Sequence, residues 1–281
     1  MKGKSYRRAF TIIEVMLVLA ITGLLFVGLI GGVQATIRKQ RYNDSVQSFE
    51  NTLQEQYDLV SSVQNSRDLA QRIRCDKSSG AVVPVTKDPG DKTAYTPGMS
   101  NCLIYGRLIE IKNNGHEIEV SNVIGLDPNE FASSAVDQKE IDTFKNALVS
   151  TERINENGAI TARSETILMQ WSAWLREPRT PAGAGNASTG GVIILKSPVS
   201  GTVWTYKFDG AINSAGISDK VVADNIGSRS FCVMSDDASP KNTRAVIVGG
   251  ASGVFAGANS SAVQIAPLDV ELNGVKPVDC T

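Results

Sequence analysis

One carboxylate, Glu14, stands just inside an apolar segment that runs to Val33. An ionised side chain is costly in membrane hydrocarbon, so a carboxylate at this place needs a counter-charge. Opposite charges about 4 Å apart attract by roughly 4 kcal/mol at an effective dielectric constant near 20. The chemistry open to Glu14 is therefore ion pairing with a cation. Four basic residues precede it in the chain: Lys2, Lys4, Arg7 and Arg8.

The apolar segment, residues 15–33, has the length of a membrane span. Its 19 residues would extend about 28 Å as a helix, which matches the hydrocarbon core of a bilayer. Gly28 and Gly32 lie four residues apart, a spacing that permits close approach of another helix. The alternative is that they are the ordinary glycines of a membrane helix.

The basic, small, apolar and acidic residues of 7–15 (RRAFTIIEV) resemble the N-terminus of type IV prepilins and type II secretion pseudopilins. The resemblance implies that a membrane peptidase cuts between Ala9 and Phe10 and that Phe10 is then N-methylated. It also implies that Glu14 meets the freed amine of a neighbouring subunit. The family usually has Gly where this chain has Ala9, and many members have Pro where it has Gly31-Gly32.

Four regions follow from this resemblance together with the residue pattern. They are a leader (residues 1–9), a transmembrane and filament-core helix (10–35), an amphipathic stalk helix (36–74) and an extracytoplasmic β-rich head (75–281). The expected location is a single-pass span with a cytoplasmic N-terminus, and later an extracellular pilus or pseudopilus. The expected partners are the membrane, other pilins, the prepilin peptidase, and an assembly platform with its ATPase.

A helical stripe continues beyond the apolar segment. Apolar side chains recur at three- and four-residue spacing, and neither Gly nor Pro occurs in residues 34–74, so we predict one helix from about Thr11 to about Arg74. The alternative is a membrane anchor followed by a separate coiled coil. The stripe consists of Tyr42, Val46, Phe49, Leu53, Tyr57, Val60 and Val63.

The four cysteines all follow the apolar segment, and their even number fits two disulfides formed outside the cytoplasm. Four cysteines allow three pairings, which the sequence does not choose between. We favour Cys75 with Cys102 and Cys232 with Cys280, since the second pair would tie the tail to a strand as pilin-like proteins often do. The alternative is four unrelated buried thiols. The sequence contains no CxxC pair, so we do not expect a zinc site.

We predict an α+β, pilin-like fold. The long helix packs on the antiparallel β-sheet of the head, and the head has a helical insert at about 126–180. Asn113-Asn114-Gly115 between two apolar runs predicts a hairpin of residues 102–112 and 116–124. Helical spacing predicts helices at 137–150 and 162–177. Further strands are predicted at 82–86, 192–196, 202–208, 229–234, 243–248 and 262–272. The run 243–248 followed by glycines resembles the GspH/FimT pseudopilin group.

Catalytic patterns are missing from the sequence. The single histidine, His116, lies among strand carboxylates and reads as a surface residue, and no GxSxG or phosphate-loop pattern occurs. Trp171, Trp174 and Trp204 read as core residues rather than ligand platforms. We therefore expect no enzyme activity, no cofactor and no metal.

Loss of the leader would lower the net charge of −1 by four, to −5. Nucleic acid is consequently expected to bind only through a local patch, if at all.

The predicted function is a structural subunit of a type IV pilus-like filament, a minor pilin serving adhesion, twitching motility or DNA uptake. The first alternative is a pseudopilin of type II secretion. The second, from another class, is a membrane-anchored binding domain that never polymerises and keeps residues 1–9.

Overall fold

The computed structural model describes most of the long helix and the sheets of the head. The described residues are 11–62, 73–78, 81–86, 102–127, 143–145, 147, 149–151, 153–154, 160–162, 164–178, 190–198, 200–212, 216–236, 243–249, 262–266 and 278–280. They form an α+β protein in which a long N-terminal helix is followed by antiparallel sheets, as the sequence predicts. The fold is consistent with that of a pilin.

Helix α1 (Ile12–Ser61) is 50 residues long, about 75 Å at 1.5 Å per residue. Residues 11–41 are exposed throughout, whereas from Tyr42 onward one face of the helix is buried. The buried residues of that face are Tyr42, Ser45, Val46, Phe49, Leu53, Gln56, Tyr57 and Val60. The predicted apolar stripe is therefore the packing face of the helix up to Val60.

The helix ends at Ser61, so its predicted extension to Arg74 is wrong. The backbone N–H of Ser62 bonds the Asp58 carbonyl at 2.9 Å, and the Lys196 ammonium donates to the Ser61 carbonyl at 2.6 Å. These bonds satisfy carbonyls that a helix C-terminus leaves unpaired. Residues 73 and 74 already belong to a strand, and predicted stripe member Val63 lies outside the described residues.

The strands of the head are short apart from one long hairpin. In chain order they are β1 (Ile73–Ser78), β2 (Ala81–Thr86), β3 (Cys102–Lys112), β4 (Glu117–Leu126), β5 (Ser150–Thr151), β6 (Arg153–Ile154), β7 (Ile160–Ala162), β8 (Ser164–Leu168), β9 (Trp174–Arg176), β10 (Gly191–Lys196), β11 (Val203–Phe208), β12 (Arg229–Met234), β13 (Arg244–Val248) and β14 (Val263–Ile265). A short helix, α2 (Ile217–Lys220), lies between β11 and β12.

The main sheet has the strand order β11-β10-β3-β4-β5, and β8 also pairs with β4. Strands β3 and β4 form the predicted hairpin, from Cys102 opposite Leu126 to Lys112 opposite Glu117. Its turn, Asn113–Gly115, has left-handed backbone at all three residues, a conformation that Asn and Gly adopt most readily.

Both faces of the main sheet are buried. One face, with Ile109, Ile118 and Ile194, packs against helix α1, and the opposite face, with Leu108, Ile193 and Tyr206, packs against Phe144 and α2. Strands buried on two sides need apolar residues at successive positions rather than in alternation. This requirement explains runs such as VIIL in β10.

A second sheet has the order β14-β13-β12-β9. Its inner face, with Phe231, Val246 and Val263, packs in the same core as the buried face of α1 and the main sheet. The buried part of the helix, from Tyr42 to Val60, therefore shares one core with both sheets. Strands β1 with β2 and β6 with β7 form two further pairs.

The helical insert predicted at about 126–180 is largely wrong. Residues 162–177 form β8, a single 3-10 turn (Gln170–Ser172) and β9. Strand β8 pairs with β4 and β9 pairs with β12, so sheet pairing overrides the helical spacing of the apolar residues. Of the other predicted helix, 137–150, residues 143–145 are helical, Ser150 begins β5, and residues 137–142 lie outside the described part.

Seven predicted strands are confirmed with small shifts of their ends: β2, β3, β4, β10, β11, β12 and β13. The strand predicted at 262–272 is confirmed only as β14, and residues 267–272 lie outside the described residues.

Candidate assembly site

The exposed apolar part of α1, residues 12–37, is called the rod below. Residues 12–37 include most of the exposed large apolar side chains of the described chain, and none of the most apolar 18-residue window is buried. Among the described residues, α1 is the one helix that is long and apolar enough to cross a membrane by length and composition. Water is a poor surrounding for such a surface, so lipid or other helices must cover it.

Glu14 lies in the first turn of this rod and forms a capping box with Thr11. The Glu14 backbone N–H donates to the Thr11 hydroxyl at 3.3 Å, and the Thr11 backbone N–H donates to the Glu14 carboxylate at 3.4 Å. The sequence does contain this signature, a Thr followed three residues later by a Glu.

The predicted cleavage site, Ala9 and Phe10, lies outside the described residues. Thr11 directly follows Phe10 in the chain. An amine created at Phe10 would therefore be one residue from the N-cap and four from Glu14. The acid would then have two possible partners near the end of the rod, a backbone N–H of its own helix and a terminal amine.

Gly28 and Gly32 lie on the exposed rod. A methyl group added at either position would meet nothing within 4 Å. The backbone is thus accessible to a neighbouring helix at both positions, and their role in helix packing stays a prediction.

Tyr42 attaches the helix to the second sheet at the point where burial begins. Its hydroxyl donates to the Val233 carbonyl at 3.0 Å and accepts from the Arg244 backbone N–H at 2.6 Å. Val233 and Arg244 are register partners in strands β12 and β13. The phenol thus bonds the end of this strand pair. Burial raises the pKa of Tyr42, although the bond from the Arg244 N–H acts in the opposite direction.

Tyr57 attaches the helix to the main sheet fifteen residues further on, about 22 Å along the axis. Its hydroxyl hydrogen-bonds the Thr205 hydroxyl of β11, and burial strongly raises the pKa of Tyr57. Gly249, with φ of 70°, lies against both side chains, so a β-carbon there would collide with them. Phe49 makes an edge contact with Phe231 between these two attachments.

Both disulfides join the pairs favoured from the sequence. Cys75 of β1 is bonded to Cys102 of β3 with Cα atoms 5.1 Å apart, and Cys232 of β12 is bonded to Cys280 with Cα atoms 5.5 Å apart. The second bond holds residues 278–280 against the outer face of the second sheet, where Cys280 packs with Ala245. The tail is thereby part of the head.

The described residues of the head do not bring catalytic or metal-binding side chains together. His116 is exposed, with its ring 5.8 Å from that of Trp174, and the described residues hold no cluster of His, Cys, Asp and Glu that could bind a metal. The buried guanidinium of Arg229 pairs with Glu177 at 2.8 Å and Asp209 at 2.9 Å. This ion-pair group links the ends of strands, and no sequence pattern indicated it.

The tryptophans are only partly core residues. Trp174 and Trp204 are half-buried, whereas Trp171 is 50% exposed, so its prediction as a core residue is wrong. The Arg41 guanidinium lies over the Trp171 ring, 5.0 Å from its centre.

The polar contacts of Tyr42 and Tyr57 were not predicted, because apolar periodicity places these residues on a face of the helix without assigning partners to their hydroxyls.

Residues 4–30 match the family described as the prokaryotic N-terminal methylation motif. Together with the long apolar helix, this match fits a type IV prepilin-like protein and implies processing by a prepilin peptidase and assembly with other pilin subunits. Comparison with curated proteins gives no match, and comparison with solved structures gives none. The family likeness therefore covers residues 4–30 and does not extend to the head.

Proposed function

We propose that the chain is a minor pilin of a type IV pilus-like filament, serving adhesion, twitching motility or DNA uptake. After removal of residues 1–9 the subunit waits in the membrane, with α1 spanning the bilayer and the head outside. Assembly moves the rod from lipid into the filament core. The peptidase, the assembly platform and its ATPase are separate proteins.

The observation that carries this proposal is the combination of the methylation motif with a rod that leaves a single acid, Glu14, at its end. Lipid tails are as apolar as the side chains of the rod, so transfer into a filament gives little hydrophobic gain. Helix packing and the pairing of Glu14 with a neighbour's terminal amine must then favour assembly and set its register.

The attachment of the head supports the same function. Tyr42 bonds the second sheet, Tyr57 bonds the main sheet, and the core between them is shared by helix and sheets. A force that lifts α1 out of the membrane would therefore carry the head with it. The long head, residues 75–281, favours a minor or tip subunit over a major one.

The experiment is fractionation of cells that make the protein. Filaments are sheared from the surface, and the sheared and membrane fractions are probed with an antibody against the head. A minor pilin is found in both fractions, with the larger share in the membrane. Presence in the membrane alone, in cells that carry filaments, would favour an anchored domain that does not polymerise.

A further inference from the structure

The turn between β8 and β9 exposes two large apolar side chains. Leu168 is 67% exposed and Trp171 is 50% exposed, and they are the only exposed large apolar residues of the described chain outside residues 12–37. Exposed apolar side chains that are grouped rather than scattered often mark a contact with a membrane or a partner. This turn, residues 168–172, is called the Trp171 turn below.

The Trp171 turn lies beside the helix at the level where the rod meets the head. The Ser45 hydroxyl donates to the Gln170 carbonyl at 3.0 Å, and the Arg41 guanidinium stacks over Trp171. Arg41 is the last residue of the fully exposed part of α1. The exposed apolar side chains are thus at the end of the head that is nearest to the membrane span.

The backbone of the turn is held in an unfavourable conformation. Trp171 has φ of 55° and Ser172 has φ of 54°. These angles lie in the left-handed region, which residues other than Gly, Asn and Asp seldom occupy. Hydrogen bonds on both sides maintain it, from the Met169 N–H to the His116 carbonyl and from the Ala173 N–H to the Gln170 carbonyl, each at 3.0 Å. Such strain persists where the surroundings fix it, and it is frequent at functional sites.

The Trp171 turn lies just outside the headgroup layer when α1 stands upright in a bilayer. Arg41 is eight residues beyond Val33, about 12 Å along the axis, and headgroups occupy roughly 5–7 Å outside the hydrocarbon. Membrane helices tilt by about 20° on average, which lowers a loop on one side of the helix towards the bilayer. A tilt of α1 towards its Trp171 side brings this loop closer to the headgroups.

The charges near the turn also fit a membrane surface. Arg38, Lys39 and Arg41 are exposed on the helix, and no acidic residue occurs in the chain between Glu14 and Asp44. Lys and Arg near a membrane attract anionic headgroups, and Trp prefers the boundary between headgroups and acyl chains.

We propose that the Trp171 turn is a membrane-interface contact, which inserts Trp171 and Leu168 among anionic phospholipid headgroups and the first carbons of the acyl chains. The inference rests on the proposed function, because it requires α1 to span the bilayer. The contact gives the waiting subunit a second attachment to the membrane and so fixes how the head stands on the bilayer before assembly.

The test uses the full-length protein in vesicles of equal parts phosphatidylcholine and phosphatidylglycerol, with acyl chains brominated near the glycerol. The double variant W174F/W204F retains Trp171 as its only tryptophan. The matched control W171F/W174F retains Trp204, which lies in β11 opposite Leu195. The next residue, Lys196, bonds the Ser61 carbonyl at the other end of the helix. We expect bromine to lower Trp171 fluorescence about twofold and to leave Trp204 almost unchanged.

Co-flotation with the vesicles separates the two proposals. Protein that floats while Trp171 is quenched no more than Trp204 overturns the membrane contact and leaves the proposed function standing. The same holds if Trp171 is shielded only in filaments, which would assign the turn to a neighbouring subunit. Protein that does not float overturns the anchoring and the membrane contact together.

A milder variant guards against misfolding of the double variants. W171F alone changes one exposed side chain, and it should remove most of the bromine-quenched fluorescence of the protein with three tryptophans. Retention of that quenched component in W171F would overturn the proposal.

Discussion

The carboxylate of Glu14 accepts a hydrogen bond from the backbone N–H of Thr11 at 3.4 Å, and the Thr11 hydroxyl in return caps the Glu14 N–H. The acid that we assign to subunit pairing is therefore already used by its own helix. Assembly must exchange this modest local bond for an ion pair with a neighbour's amine, and this exchange can be tested.

Glu14→Gln separates the two roles of this side chain. Glutamine at the third helical position still completes a capping box, but it has no charge to offer an amine. We expect Glu14→Gln and Glu14→Ala to remain in the membrane and to lower the sheared-filament fraction at least roughly tenfold, since the pair attracts by about 4 kcal/mol. The measurement is quantitative immunoblotting of both fractions.

Thr11→Val is the matched control, because it removes the capping hydroxyl and keeps the acid. This variant should assemble at nearly the wild-type level. Normal assembly of Glu14→Gln beside poor assembly of Thr11→Val would show that Glu14 acts through helix capping, and the charge-pair role would be abandoned.

Gly249→Ala tests the attachment of Tyr57 to the main sheet. Its new methyl group would enter the space of the Tyr57 and Thr205 hydroxyls at a φ of 70°, so we expect a loss of about 1–3 kcal/mol in the free energy of unfolding. Gly201→Ala is the control, with a φ of 73° and open space around it. Urea unfolding of the detergent-solubilised chain should show the larger loss for Gly249→Ala.

A double variant refines this test. In a Tyr57→Phe background the collision with the phenol oxygen is gone, so Gly249→Ala should cost less than in the wild type. Equal costs in the two backgrounds would mean that the tyrosine hydroxyl does not restrict this site.

The buried tyrosines predict a loss of stability in alkali. Burial is the main cause that raises the pKa of Tyr57 and of Tyr105, whereas tyrosines of the unfolded chain titrate near pH 10. Above that pH the unfolded chain binds fewer protons than the folded one, so stability falls as pH rises. The titration of these tyrosines should leave the free energy of unfolding unchanged below about pH 10. Above that pH the free energy of unfolding should fall by up to roughly 1.4 kcal/mol per pH unit for each tyrosine.

Tyr57→Phe should reduce this alkaline slope while leaving the slope of Tyr105 in place. The measurement is the urea midpoint from about pH 8 to pH 12. Identical slopes for the variant and the wild type would contradict the assignment.

The bond between Cys232 and Cys280 predicts how the tail contributes to stability. The two cysteines are 48 residues apart in sequence, and closing a loop of that length corresponds to about 4 kcal/mol in the chain-entropy estimate. The double variant C232S/C280S should therefore unfold at a much lower urea concentration while α1 stays in the membrane. An unchanged midpoint would mean that the tail is held by packing alone.

Features set by local residue pattern were predictable. The Asn113–Gly115 turn and its two strands follow from turn residues between apolar runs, and the packing face of α1 follows from its spacing. The capping box of Thr11 and Glu14 is also set by local pattern, a Thr followed three residues later by a Glu.

Features set by contacts between distant residues were not predictable. Ile167, Trp171 and Leu175 have helical spacing, yet their segment is divided between partners in strands β4 and β12. The helix ends at Ser61 where Lys196, from a distant strand, bonds its last carbonyl. The partners of the two tyrosine hydroxyls likewise come from other parts of the chain.

The most direct test of the central claim is the mass of the N-terminal peptide of the protein taken from filaments and membranes of cells that make it. If a peptidase frees the amine that Glu14 is to meet, the chain begins at Phe10 and carries one N-methyl group. A chain that still begins at Met1, in cells that process their other pilins, would contradict the account, because Glu14 would then have no amine to pair with.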